Sequence, residues 1–309
     1  MNLTKIIFLI CILVPFFISC TSRNTRNASK QNENTGNELT ELNFRLSKGW
    51  NTWNTRSVLS HVLLPDFFAI NLQLISHQSG DTLKEALIGQ EGFGSKESVI
   101  PGPHSYDGSY TELTVEWQGV RARVQSAAKN DDLFLLISPI RYSQGDTLLI
   151  YPQMMWNRKG NIKINENRIS AVTPSKTIEL TIVGDHSVPT DGNIKLSMAE
   201  PIAISSDASK STREIEQIIH DAGSKLSASK SDYPQAAELY SAMQTVLAWN
   251  LIYEPTYDRV IAPVGRTWNV GWEGWILFDW DTYFAAYMFS LDNKENAYAN
   301  AIAITNEIT

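Results

Sequence analysis

The stretch Tyr110–Ser126, YTELTVEWQGVRARVQS, decides the fold of the first half of the chain. From Thr111 to Trp117, apolar-leaning residues alternate with polar ones, and this period of two is typical of a half-buried β-strand. Gln118-Gly119 supplies a two-residue turn, after which Val120 to Gln125 runs back with strand character. The stretch therefore predicts an antiparallel β-hairpin.

Further strand patterns follow this hairpin, and turn residues rich in glycine, asparagine and aspartate separate them. They cover residues 133–140, 147–151, 161–169 and 177–183. No helical pattern lies between them. Short strands at this spacing are typical of a β-sandwich or a β-barrel, and we predict a β-sandwich domain over residues 42–205.

Helical spacing replaces the strand pattern after Ser205. Ser211-Thr212-Arg213-Glu214 has the composition of a capped helix start, and apolar residues then recur three and four positions apart. Further helices are predicted over residues 234–251, 281–291 and 292–309. The last pattern reaches Thr309 without a glycine cap or a proline, so we expect residues 206–309 to begin a larger helical domain.

The N-terminus has the features of an export signal. Lys5 precedes the apolar run Ile6–Ile18, which is shorter than the ~20 residues of a membrane-spanning helix. Ser19-Cys20 resembles a bacterial lipobox, in which the cysteine is lipidated. We therefore expect residues 1–20 to be a lipoprotein signal peptide with Cys20 as the lipidation site. An ordinary cleavage site beside an incidental cysteine is the alternative.

Residues 21–41 are polar and contain no aromatic side chain, so they bury too little apolar surface to offset the entropy of ordering. We expect a disordered tether here. Together with the signal peptide, this predicts an exported bacterial lipoprotein, in the periplasm or at the outer membrane, that contacts the membrane through its lipid anchor only.

Charge and cysteine usage exclude several kinds of partner. The net charge is -7 and no basic run is present, so the chain lacks the electrostatic footprint of a nucleic-acid-binding protein. Both cysteines, Cys11 and Cys20, lie in the signal region, and the five histidines lack metal-ligand spacing. We expect no metal site, no cofactor and no disulfide in the exported part of the chain.

The segment Ala262–Phe284, APVGRTWNVGWEGWILFDWDTYF, holds four of the nine tryptophans. An indole ring stacks on the apolar face of a sugar, while carboxylates accept hydrogen bonds from hydroxyl groups and Arg or Asn side chains donate them. A tryptophan-rich core beneath a long loop is the alternative. The predicted substrate-binding residues, which would contact an oligosaccharide or glycoside, are Arg266, Trp268, Asn269, Trp272, Trp275, Trp280 and Asp281.

Within this segment, Trp280-Asp281-Thr282-Tyr283-Phe284 resembles the barrel-entry motif of glycoside hydrolase family 63 and the related mannosylglycerate hydrolase-like enzymes. Arg266 to Asn269 is similar to the stretch that precedes this motif. The resemblance implies a β-sandwich followed by an (α/α)6 barrel, a sugar-binding role for Trp280 and Asp281, and α-glucosides or α-mannosides as substrates. It also implies inversion by a pair of carboxylic residues downstream of the motif.

The catalytic pair has no matching position in this sequence, and we expect it beyond Thr309. A barrel of twelve helices needs roughly 200 residues, whereas 104 follow Ser205. The expected fold is therefore a β-sandwich followed by the first few helices of an incomplete (α/α)6 barrel. We expect an exported glycoside hydrolase that is inactive as this fragment. The alternatives are a non-catalytic carbohydrate-binding lipoprotein and a lipoprotein with no role in sugar binding.

Two further segments have an open interpretation. The first, Trp50–Asn54, is a tryptophan pair that either contributes to the sugar site or packs on the sandwich. The second, Pro101–Gly108, is a proline- and glycine-containing loop that either contacts a ligand or forms a structural turn.

Overall fold

The computed structural model describes residues 38–89, 97–183, 192–230, 234–266 and 274–308, which fall into two compact units, residues 1–42 and 43–309. In the first unit, residues 38–41 are helical, although the sequence placed them in the tether. The predicted signal peptide, Cys20 and the rest of the tether lie outside the described residues. Every described helix is too short or too polar to span a membrane.

In the second unit, helical residues 43–46 are followed by strands. In chain order they are β1 (Gly49–Asn51), β2 (Ser60–Leu64), β3 (Phe68–Ile75), β4 (Thr82–Leu83), β5 (Glu97–His104), β6 (Tyr110–Trp117), β7 (Val120–Lys129), β8 (Asp132–Arg141), β9 (Thr147–Met154), β10 (Asn161–Asn165), β11 (Arg168–Val172), β12 (Thr177–Val183), β13 (Ile194–Ser197) and β14 (Ile202–Ser205). A later pair, β15 (Ile252–Glu254) and β16 (Arg259–Ile261), forms a small hairpin.

The fourteen earlier strands form two antiparallel sheets. One has the order β1-β2-β3-β9-β13, with β4 paired to β3, and the other has the order β10-β11-β12-β14-β8-β7-β6-β5. The predicted hairpin is the β6–β7 pair, in which Trp117 lies opposite Val120. Gln118 and Gly119 both have positive φ, 45° and 88°, as a type I′ turn requires.

A single apolar core lies between the two sheets. Leu63, Phe68 and Ile150 enter it from the six-stranded sheet. Val115 and Leu135 enter it from the eight-stranded sheet. Each such buried side chain stabilises the fold by roughly 1.5–3 kcal/mol. The prediction of a β-rich first part that precedes helices is confirmed.

Four helices follow the strands: α1 (Thr212–Ser229), α2 (Ala237–Asn250), α3 (Asp279–Phe289) and α4 (Lys294–Ile308). The capping box predicted at the start of α1 is present, because Ser211 and Glu214 satisfy each other's backbone N–H groups. Ile215 and Ile219 of α1 pack on the outer face of the eight-stranded sheet, against Leu136 and Ala203. The predicted second helix starts later than expected, because residues 234–236 form a 3-10 turn.

The other three helices cover the outer face of the six-stranded sheet. Leu247 of α2, Phe289 of α3 and Ala297 of α4 belong to one cluster with Val62 and Leu64 of β2. This packing places the end of α3 beside the β-rich part, and a loop that contains the β15–β16 hairpin precedes α3. The β15–β16 hairpin within that loop was not predicted, since strands of three residues carry too few positions for a period of two to be recognised.

Candidate functional site

The first turn of α3 carries Trp280 and Asp281 of the predicted motif. Trp280 is 63% exposed, and its ring lies edge-on to Phe284 with the centroids 5.9 Å apart. Asp281 is half-buried in the same turn. Asp279 and Asp281 suit this position, because carboxylates interact favourably with the positive end of a helix dipole. An exposed indole and a half-buried carboxylate are therefore consecutive residues in the first turn of α3.

After its first turn, helix α3 carries apolar or aromatic side chains on every side. Ala285, Ala286 and Phe289 are buried against the rest of the protein. The opposite side is aromatic and exposed, and α4 continues it with Tyr298 and Ile302. We call this surface the outer aromatic face, and its α3 members are Trp280, Tyr283, Phe284 and Tyr287. A helix that is hydrophobic on all sides is normally buried on all sides.

Trp275 has a packing role in the structure. It is half-buried and packs with Leu277 against Ile252 and Ile261 of the small hairpin and Ala303 of α4. This contact is what the alternative interpretation, a tryptophan in a core beneath a loop, predicts for this residue. The substrate-binding role of Trp275 remains a prediction.

Arg266 is buried, and its guanidinium donates hydrogen bonds to four backbone carbonyl oxygens. Nε binds the carbonyl of Trp249 at 2.6 Å, and Nη2 binds that of Leu251 at 2.9 Å. Nη1 binds the carbonyls of Thr52 and Asn54 at 2.7 and 3.2 Å. A guanidinium has five N–H groups, so at most one remains for a ligand. The geometry assigns Arg266 to holding the β1–β2 segment against the end of α2. The substrate-binding role of Arg266 remains a prediction.

Burial lowers the pKa of the Arg266 guanidinium to about 9, which still leaves it protonated at neutral pH. Trp268, Asn269 and Trp272, the other predicted site residues, lie outside the described residues. Of the seven predicted site residues, the structure thus places Trp280 and Asp281 together in one exposed turn, Trp275 against the small hairpin and Arg266 in the interior.

The tryptophan pair near the start of the β-rich part is structural. Trp50 belongs to the core between the sheets, and its indole Nε1 donates to the carbonyl of Asp131 at 2.7 Å. Trp53 lies in the cluster beneath α2 and α3, and both of its neighbours in sequence, Thr52 and Asn54, accept from Arg266.

Part of the segment Pro101–Gly108, which was expected to be a loop, is strand, because β5 extends to His104. A buried polar cluster surrounds His104. His104 Nε2 lies 2.9 Å from the Thr52 hydroxyl, and its ring meets Trp249 edge-on at 4.5 Å between centroids. Gln244 donates to the His104 carbonyl at 2.7 Å. Burial lowers the pKa of His104 to about 3 and that of His61 to about 4. Both rings are therefore neutral at physiological pH.

No signal in the sequence identified this cluster, because Thr52 and Gln244 are 52 and 140 residues away from His104 along the chain. Across the described ranges, no group of three or more His, Cys, Asp and Glu residues has an arrangement that would hold a metal ion. Neither a protein-family model nor a curated protein matches this chain. The function is therefore argued from the residues alone.

Proposed function

We propose that this chain forms the N-terminal part of an exported glycoside hydrolase, in which the first turn of α3 contributes to the sugar site. The observation that carries the proposal is the pairing of Trp280 and Asp281, one ring exposed and one carboxylate half-buried, at the start of a helix. Asp281 has no hydrogen-bond partner among the described residues, so its oxygens are available to hydroxyl groups.

This pairing suits a sugar in two ways. The indole of Trp280 offers a flat apolar surface to the C–H face of a pyranose, and the carboxylate accepts hydrogen bonds from two hydroxyls on its rim. Hydrogen bonds to a charged group are worth about 1.5–3 kcal/mol each, so one such carboxylate contributes strongly to binding.

The outer aromatic face is the second observation in favour of the proposal, because it suits contact with further helices. Its four aromatic residues on α3 and the exposed Tyr298 and Ile302 on α4 are the kind of surface that neighbouring helices cover. In the proposal, further helices of an (α/α)6 barrel pack on this face and supply the acid and base. The hydrolase acts on neutral α-glucosides or α-mannosides and inverts the anomeric carbon.

We propose an extracytoplasmic location for this protein from its N-terminal sequence. The apolar run of residues 6–18 and Ser19-Cys20 support export and lipid attachment at Cys20, with the folded part held outside the cytoplasm by the anchor.

Replacing Asp281 by alanine in the complete enzyme is expected to lower kcat/KM for the best neutral glycoside by about 10- to 100-fold, because a charged acceptor of substrate hydroxyls is lost. Asp279→Ala is the matched control. It removes the other carboxylate of the same helical turn and so reproduces any effect on the helix dipole. An equal loss in both variants would contradict the sugar-binding role of Asp281.

A further inference from the structure

The hydroxyl of Tyr283, a residue of α3 that follows Trp280 by three positions, is held in place by α4. Tyr283 is 39% exposed, and its hydroxyl oxygen lies 2.8 Å from the hydroxyl oxygen of Thr305. Thr305 in turn donates a hydrogen bond to the backbone carbonyl of Ala301 at 2.7 Å. The start of α3 and the end of α4 are therefore joined on the surface by a short chain of hydroxyl groups.

The last partner in this chain determines the direction of its hydrogen bonds. A carbonyl oxygen only accepts, so the bond to Ala301 uses the single proton of the Thr305 hydroxyl. Tyr283 is left to donate its own proton to Thr305, and its oxygen keeps only acceptor capacity for a ligand. A tyrosine hydroxyl without such a partner rotates and takes either role, whereas this one is oriented as an acceptor.

Tyr283 and Asp281 lie on opposite sides of Trp280 around α3. Successive residues of an α-helix are about 100° apart, so Asp281 is about 100° from Trp280 in one direction and Tyr283 is about 60° from it in the other. The side of α3 that faces away from Trp280 is buried, at Ala285 and Phe289. The exposed indole is thus flanked by two hydrogen-bond acceptors, a carboxylate and an oriented phenol oxygen.

A sugar ring that stacks on the Trp280 indole meets these acceptors at two of its edges. The hydroxyl groups on the rim of a pyranose donate hydrogen bonds, so both acceptors find a partner. A ring that lacks the hydroxyl at either edge leaves one acceptor without a donor, and sites built to bind a hydroxyl group reject such analogues. The arrangement therefore selects sugars by the hydroxyls on both sides of the stacked ring.

We propose that Tyr283 is a second hydroxyl-binding residue of the sugar site and that Thr305 is the positioning residue that orients it. The inference rests on the proposed function, because it assigns a further contact to the same sugar. It adds the substrate class, which is a pyranose with a hydroxyl donor at each of the two edges that meet Asp281 and Tyr283.

Binding of sugars that resist hydrolysis tests this assignment without requiring turnover. The full protein from its own cells is titrated with methyl 1-thio-α-glucoside, methyl 1-thio-α-mannoside and their monodeoxy analogues, and Kd is measured by ligand-observed NMR. We expect Tyr283→Phe to raise the Kd of the better sugar about 3- to 10-fold, because one hydrogen bond is lost. Tyr287→Phe is the matched control, since it removes the hydroxyl of an exposed tyrosine one turn further along α3 and is expected to bind normally.

The monodeoxy analogues and Thr305 provide readouts that a merely structural role would not change. The unmodified protein is expected to bind one monodeoxy analogue as weakly as Tyr283→Phe binds the parent sugar, whereas Tyr283→Phe is expected to bind these two ligands equally. Thr305→Val keeps the shape of the side chain without its hydroxyl and is expected to raise Kd about 2- to 5-fold. Thr305→Ser keeps the hydroxyl and is expected to bind normally.

Two results separate this inference from the proposed function. An unchanged Kd in Tyr283→Phe together with weaker binding by Asp281→Ala would overturn the inference and leave the proposed function standing, and so would an equal loss in Tyr283→Phe and Tyr287→Phe. Absence of binding of both parent sugars by the unmodified protein would also overturn the inference, and sugar release would then decide the proposed function separately.

Discussion

Lowering the pH from 7 to 5 is expected to reduce the free energy of unfolding by about 4 kcal/mol, or about 2 kcal/mol for each of His61 and His104. Both imidazoles lie in the interior. Burial penalises the charged ring, which lowers the pKa of His61 to about 4 and that of His104 to about 3.

The sign of this change in stability follows from the number of protons that the folded and unfolded states bind. In the unfolded chain both histidines titrate near their usual pKa of 6.5, whereas in the folded protein they stay neutral down to pH 4 or below. Between pH 6.5 and 4 the unfolded state therefore binds more protons, so stability falls as the pH falls through this window. The contribution of His61 levels off below pH 4, and that of His104 below pH 3.

Urea unfolding at pH 7 and pH 5 measures this effect. His61→Leu is expected to remove about half of the difference between the two pH values, because one of the two buried imidazoles is gone. His220→Leu replaces a histidine whose side chain is 73% exposed and is expected to keep the full difference. Equal stability of the unmodified protein at both pH values would show that His61 and His104 are not buried as described.

Replacing Arg266 by methionine is expected to destabilise the fold by about 3–5 kcal/mol. Methionine fills part of the same volume and has no donor, so the carbonyls of Thr52, Asn54, Trp249 and Leu251 lose a partner together. Arg266→Lys is expected to be destabilising as well, since an ammonium has three donors on one nitrogen and does not match carbonyls spread around a planar guanidinium.

The midpoint of urea unfolding at pH 7 provides the measurement. Arg56→Met is the control, because the Arg56 side chain is 79% exposed and its ion pair with Glu85 is 3.9 Å long. We expect this control to change stability by less than about 0.5 kcal/mol. If the free energy of unfolding of Arg266→Met fell by less than about 1 kcal/mol, Arg266 would not hold these segments together, and ligand binding would be its remaining interpretation.

Local sequence patterns predicted the elements that depend on neighbouring residues. The β6–β7 hairpin was correct because a period of two and a Gln-Gly turn are both contained in residues 110–126. The start of α1 was correct because a capping box needs only Ser211 and Glu214. Both features form without help from distant parts of the chain.

The contacts of the buried candidate residues could not be predicted from the sequence. On sequence grounds, Arg266 and the tryptophans had the same status as candidate ligand-binding residues. The residue types in a segment do not show whether a side chain faces solvent or packs on the backbone of a distant segment. Arg266 reaches carbonyls more than two hundred residues away at Thr52 and Asn54. Trp275 packs against the apolar residues of the β15–β16 hairpin, whose strands are too short to be predicted from the sequence. Trp280 and Asp281 lie at a helix start, as the motif predicted, and their sugar-binding role remains a prediction.

Sugar release by the protein purified from its own cells tests the central claim most directly, with neutral α-glucosides and α-mannosides as substrates and the anomeric protons followed by NMR. The account predicts turnover of at least one substrate with the β-anomer appearing first, and no turnover by the 309-residue chain alone. Absence of turnover by the purified protein on every substrate, or hydrolysis by the 309-residue chain alone, would contradict it.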